Sequence, residues 1–214
     1  WLPRCFQPSD TRLAIPPPPA RWTCGLPEQG TVFCCFNNSY KLNPHSMGRA
    51  LAVLRGVPGS VLWLLSGPGR ADERLREFAK AQDVDPRRLV FMPKQPHAEY
   101  MARLQHADLF LDTEPYNAHT TASDALWAGC PVLTRPGETF AARVAGSLNH
   151  HLGMPTMNVD SDAAFVARAT ALPEGTVKVH VSAILKALNV HSRSQVIVEL
   201  AKRGIDVGRA DAHN

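Results

Sequence analysis

At 214 residues and 44% hydrophobic content, the chain is long enough for one full domain with a sizeable core and a little more. A formal net charge of +4 is too mild for a protein that grips nucleic acid through a bulk basic field. No apolar run reaches the length of a bilayer span and no charged-then-apolar leader opens the chain, so no membrane partner is expected.

The first thirty residues read as an extended, proline-rich connector, because Pro16–Pro19 fits neither a helix interior nor a central strand. The chain starts at Trp1 without a methionine, which suggests a fragment or processed product. From Thr31 a regular alternation begins. Strands are expected at Thr31–Phe36, Val61–Leu65, Leu89–Met92, Leu109–Asp112 and Val132–Thr134. Helices are expected at Ser46–Val57, Ala71–Gln82, Pro96–His106, Thr120–Ala128, Thr139–Leu148 and Asp162–Ala171. Short, continuously apolar strands between helices indicate an α/β domain over residues 31–172, Rossmann-like, with a parallel sheet covered by helices on both faces. Past Pro173 comes a short helical tail, residues 173–214. It holds a striped helix over Glu174–Leu188, a turn at Asn189–His191 and a capping-box start, Ser192–Gln195, for a last helix.

The segment richest in chemistry is the run from Asn117 to Thr134, which follows the strand ending at Asp112. A small-residue loop leading into a helix that starts at Thr120 and Thr121 gathers free backbone N–H groups and the positive end of a helix dipole. That is an anion site suited to a diphosphate. Asp124, one turn further on, is placed to accept from a sugar hydroxyl. A merely capped helix explains the short motif equally well. The anion reading gains because parallel α/β sheets bind ligands at the carboxyl ends of their strands. The segments after Phe36, Met92 and Asp112 all fall there.

Cys5, Cys24, Cys34, Cys35 and Cys130 form no CxxC pair and no spaced framework, and their odd number suits a reducing cytoplasm. Cys34 and Cys35, adjacent in an apolar strand, point to opposite faces as buried thiols. The nine histidines, His150–His151 included, show no metal-ligand spacing, so no metal is expected.

Several motifs carry a resemblance over residues Phe6 to Ala171. They are Cys35-Phe36-Asn37-Asn38-Ser39-Tyr40-Lys41, Val61–Leu65, Asp112-Thr113 through His119-Thr120-Thr121-Ala122-Ser123-Asp124, and Pro136-Gly137-Glu138-Thr139 with Arg143-Val144-Ala145. Together they resemble the C-terminal catalytic lobe of the O-GlcNAc transferase (SPINDLY-type) family, most closely its bacterial members. The resemblance implies one nucleotide-sugar-binding lobe of a GT-B glycosyltransferase. Such enzymes move N-acetylglucosamine from UDP-GlcNAc to protein serine or threonine hydroxyls, with inversion and without a metal or other cofactor.

Carried over by motif, Lys41 would be the catalytic group, neutralising charge on the departing UDP. Asn38 would support the same phosphates, and His119, Thr120 and Thr121 would bind them through backbone and hydroxyl donors. Asp124 would hold the ribose, and Gln95, His97 and Arg103 would frame the uridine. Tyr100 stands where animal relatives often have histidine. Apart from the resemblance, Lys41 and Arg103 read as solvated charges and His97 as a first-turn helix residue.

The tail resembles the second half of a LuxR/GerE-type helix-turn-helix, in which Lys178, Val179 and Ser182 would face the major groove and Lys186 a phosphate. The two helices that normally precede that unit are missing, so a helical hairpin packed on the α/β body is preferred to DNA binding. Three functions stay open: the donor-binding lobe of a transferase, a DNA-binding regulator fused to a nucleotide-sugar-binding domain, and an inactive fusion remnant. The missing partner lobe makes catalysis by this chain alone the weakest expectation.

Overall fold

A computed structural model describes residues 14–171. The stretch 1–13 and the whole tail from residue 172, with the helices read there, lie outside the described residues. The body is a five-stranded, all-parallel sheet in the order β3-β2-β1-β4-β5. Its strands are β1 (Val32–Cys35), β2 (Val61–Leu65), β3 (Leu89–Met92), β4 (Leu109–Leu111) and β5 (Val132–Leu133). Six helices accompany them: α1 (Pro44–Gly56), α2 (Ala71–Ala81), α3 (His97–Leu104), α4 (Thr120–Trp127), α5 (Val144–His151) and α6 (Asp162–Thr170).

The apolar strands are central because nothing along β1 is exposed. Cys34 lies in register with Trp63 on one side and Phe110 on the other, and all three are fully buried. Cys34 and Cys35 are both buried, and burial raises both thiols, that of Cys35 to about 12. The chain moves outward through β1, β2 and β3 and then crosses back to β4 and β5. Right-handed crossovers therefore put α1 and α2 on one face and α3 and α4 on the other. α5 packs on α4, and α6 packs on α1.

Two expectations on helices change. α1 begins at Pro44 rather than Ser46, because the Asn43 side chain accepts from Ser46 N and Pro44 fits the first helical position. The single helix expected over Thr139–Leu148 is broken into a 3₁₀ turn, Phe140–Ala142, and α5. The Ala141 carbonyl accepts from Asn117 N and the Ala142 carbonyl from Gly137 N, so tertiary bonds take the acceptors a continuous helix would use. α4 is followed, one residue past its Ala128 cap, by Gly129, whose φ of 80° reverses the chain into β5. Of the opening segment, the prolines dock by carbonyls: Gln105 Nε2 donates to Pro16 O and His106 Nε2 meets Pro19 O. Among the described residues no helix is long and apolar enough to cross a membrane.

Candidate functional site

The strand order reverses between β1 and β4, and the crevice outside their carboxyl ends is where an open α/β sheet binds its ligand. After β1 the chain runs through Asn37 and Asn38 into a 3₁₀ turn, Ser39–Lys41, which aims Lys41 across the crevice. Its Nζ donates to the Asn117 carbonyl at 2.9 Å and sits 3.8 Å from the centre of the Tyr116 ring. Neither contact cancels the ammonium charge. Partial burial lowers the Lys41 pKa, opposed by the negative field of Asp112.

The β4–α4 loop is organised around Asp112, which is buried. One carboxylate oxygen accepts from Thr113 N (2.8 Å) and Ala118 N (2.6 Å), the other from the Thr134 hydroxyl (2.7 Å). Burial nevertheless dominates and raises its pKa to about 6, against the lowering by those bonds and by Lys41. Behind the loop, the Arg49 guanidinium donates to the Asp112 carbonyl (2.9 Å), Glu114 (2.9 Å) and Asp162 (3.0 Å), and lies on the Phe165 ring. Arg135 holds the other oxygen of Glu114 at 3.0 Å.

α4 opens at His119, whose ring packs between Tyr116 and Phe140. The first N–H groups of a helix have no partner within it, so Thr120 and Thr121 present donors at the positive end of the dipole. Thr120 is exposed, whereas the Thr121 hydroxyl donates inward to Asn37 Oδ1 at 2.8 Å. One turn on, Asp124 meets His97 Nε2 at 3.3 Å; desolvation raises the carboxyl pKa and the histidine opposes it. Tyr100 lies beneath His97 with its ring edge-on to Phe36, and its hydroxyl is buried without a hydrogen-bond partner among the described residues.

Lys41, His119, Thr120 and Thr121 thus meet at one crevice, with His97 and Asp124 paired on its flank. Asn38 is exposed beside Asn37, and Gln95 is half-buried in the loop after β3. Arg103 is not drawn in: it pairs with Glu99 at 3.8 Å in the last turn of α3. Lys178, Val179, Ser182 and Lys186 lie outside the described residues. Sequence reasoning passed over Asn37, Arg49, Thr113 and Thr134. Asn37 and Thr113 stand within the motifs quoted above, and Arg49 and Thr134 leave only the signal of a polar residue abutting an apolar run. Among the described residues no group of three or more His, Cys, Asp or Glu side chains is placed to hold a metal ion.

Residues 17–198 match the model of the family described as Glycosyl transferase family 41. Over 153 residues the chain is 40% identical to a probable UDP-N-acetylglucosamine–peptide N-acetylglucosaminyltransferase SEC of Arabidopsis thaliana, covering 69% of this chain and 16% of that protein. It is 39% identical over 147 residues to the UDP-N-acetylglucosamine–peptide N-acetylglucosaminyltransferase of Caenorhabditis elegans, covering 69% of this chain and 13% of the relative. The chain therefore spans no more than about a sixth of these relatives. A solved structure of a mutant O-GlcNAc transferase of Thermobaculum terrenum shares the fold, with a TM-score of 0.70 at 23% identity, over 94% of this chain and 38% of that one.

Proposed function

The chain belongs to glycosyl transferase family 41, and from that premise we propose that it is the donor-binding lobe of a protein O-linked N-acetylglucosaminyltransferase, taking UDP-GlcNAc at the crevice between β1 and β4. The observation that carries this reading is the Lys41 ammonium, without a salt bridge among the described residues and held against the loop that leads into the N-terminus of α4. A diphosphate lying there meets a point charge on one side and oriented N–H groups on the other. In the complete enzyme the sugar passes to a serine or threonine hydroxyl with inversion, and negative charge grows on the departing UDP. Lys41 and the α4 terminus are then stronger partners of the transition state than of the ground state, which is what accelerates the step. Asp124, steadied by His97, receives the ribose hydroxyls, while Gln95 borders the base and Asn38 the phosphates. Protein acceptors would be engaged through other parts of the complete enzyme. The buried thiols Cys34, Cys35 and Cys130 suit a reducing cytoplasm.

Titrating UDP into the chain and into Lys41→Ala tests the assignment. Loss of one charge-assisted hydrogen bond is expected to weaken binding about 10- to 100-fold. Equal affinity would remove Lys41 from the site. The same titration in the presence of a chelator is expected to give an unchanged affinity, because a lysine and a helix terminus already supply the positive field. Binding abolished by chelator and restored by magnesium would overturn metal independence.

A further inference from the structure

The geometry points to Asn37 as the positioning residue that sets the N-terminus of α4, and to the Thr121 side chain as part of that scaffold rather than a hydroxyl donor to the diphosphate. The inference rests on the donor-binding reading above and assigns the division of labour within it. Asn37 is 1% exposed at the end of β1. Its Nδ2 donates to Thr113 Oγ1 at 2.8 Å and its Oδ1 accepts from Thr121 Oγ1 at 2.8 Å, joining β1, the β4–α4 loop and the first turn of α4.

The direction of each bond follows from its neighbours. Thr113 Oγ1 donates to the Tyr116 carbonyl at 2.7 Å, so towards Asn37 it can only accept. The Asn37 NH₂ group also faces the Asp112 carboxylate, 3.5 Å away, where a carbonyl oxygen would be repelled. Both neighbours fix the same amide orientation, with the oxygen towards Thr121. Thr121 is then obliged to donate, and its single hydroxyl proton is committed inward. What Thr121 can offer an anion is its backbone N–H, and the neighbouring Thr120, which is exposed, carries the other threonine hydroxyl of this turn. The run Thr121 to Asn37 to Thr113 to Tyr116 O ends on the residue whose ring carries Lys41. Asn37 thereby holds both halves of the anion site in one frame.

Amide hydrogen exchange of the whole chain without ligand, compared with Asn37→Ala and Thr121→Val, tests the inference apart from any binding. The valine variant is nearly isosteric and guards against a general packing defect. Both variants are expected to exchange at least about 5-fold faster at the hydrogen-bonded amides of Ala118, Ala122 and Ser123, the worth of one net hydrogen bond, while β2 and β3 keep their protection. Thr121→Ser, which keeps the hydroxyl, is expected to restore protection. In UDP titrations Asn37→Ala, which breaks the bonds to both Thr113 and Thr121, is expected to weaken binding at least as much as Thr121→Val, with the double variant no weaker than Asn37→Ala, because the Thr121 bond is already lost there. Unchanged exchange at those amides, or independent losses that multiply in the double variant, would overturn the positioning role. If exchange responds as expected but the parent chain does not take up UDP, the scaffold stands and the diphosphate assignment falls.

Discussion

Replacing Arg49 with alanine is expected to lower the stability of the chain by about 3 kcal/mol, at the low end of the range for breaking a buried charge pair. The side chain is 3% exposed, donates to three acceptors and lies 4.0 Å from the centre of the Phe165 ring. Its removal strips the Asp112 carbonyl of that donor and leaves a void against Phe165. The low end applies because Glu114 keeps Arg135 and because Asp162, at 43% exposure, is rehydrated at little cost. Arg49→Lys is expected to recover less than half of the loss, since a point charge cannot reach three acceptors in a forked arrangement. Urea unfolding monitored by the buried Trp63 measures both, and an unshifted midpoint for Arg49→Ala would show that the cluster is dispensable.

Asp112 gives the second large effect, and its sign is opposite to that of an ordinary paired carboxylate. Its pKa rises from 3.8 to about 6 on folding, because burial outweighs the donors around it. The folded chain therefore binds more protons than the unfolded chain between about pH 4 and pH 6, and over that window stability falls as pH rises. The shift corresponds to about 3 kcal/mol between the ends of the window. Asp112→Asn removes the titration while keeping an oxygen for Thr113 N and Ala118 N, so the stability of the parent relative to the variant is expected to fall steadily from about pH 4 to about pH 6.5. Asp112→Ala leaves three buried donors without that carboxylate and is expected to cost about 3 kcal/mol or more at any pH. A difference between the parent and the Asp112→Asn variant that stays flat across the window would show that Asp112 is ionised throughout.

The alternation of β1 to β5 with the helices was legible because each strand is an unbroken apolar run, and such runs survive in parallel sheets covered on both faces. Boundaries failed where tertiary bonds decide them. Nothing in Thr139–Leu148 announces that Asn117 and Gly137 will claim the carbonyls of Ala141 and Ala142. In the site, the paired threonines stood out because they sit on a recognisable loop-to-helix pattern, whereas Lys41 came from the motif resemblance alone and by itself reads as a solvated charge. Arg49 did not stand out, because an arginine four residues before Val53 on a helix reads as a solvated charge. Only the fold reveals that Asp112, Glu114 and Asp162 converge on it. Asn37 was hidden for the same reason: its partners are 76 and 84 residues away.

α6 runs parallel to α1, with Asp162 beside His45 at one end and Thr170 beside Gly56 at the other. The prolines that begin the described body are pinned by Gln105 and His106, just past the end of α3. Entrance and exit of the body therefore share the floor of the sheet, while Lys41 and α4 occupy its roof. A unit wired in this way behaves as a cassette: polypeptide can be spliced to either end without any strand having to cross the mouth of the crevice.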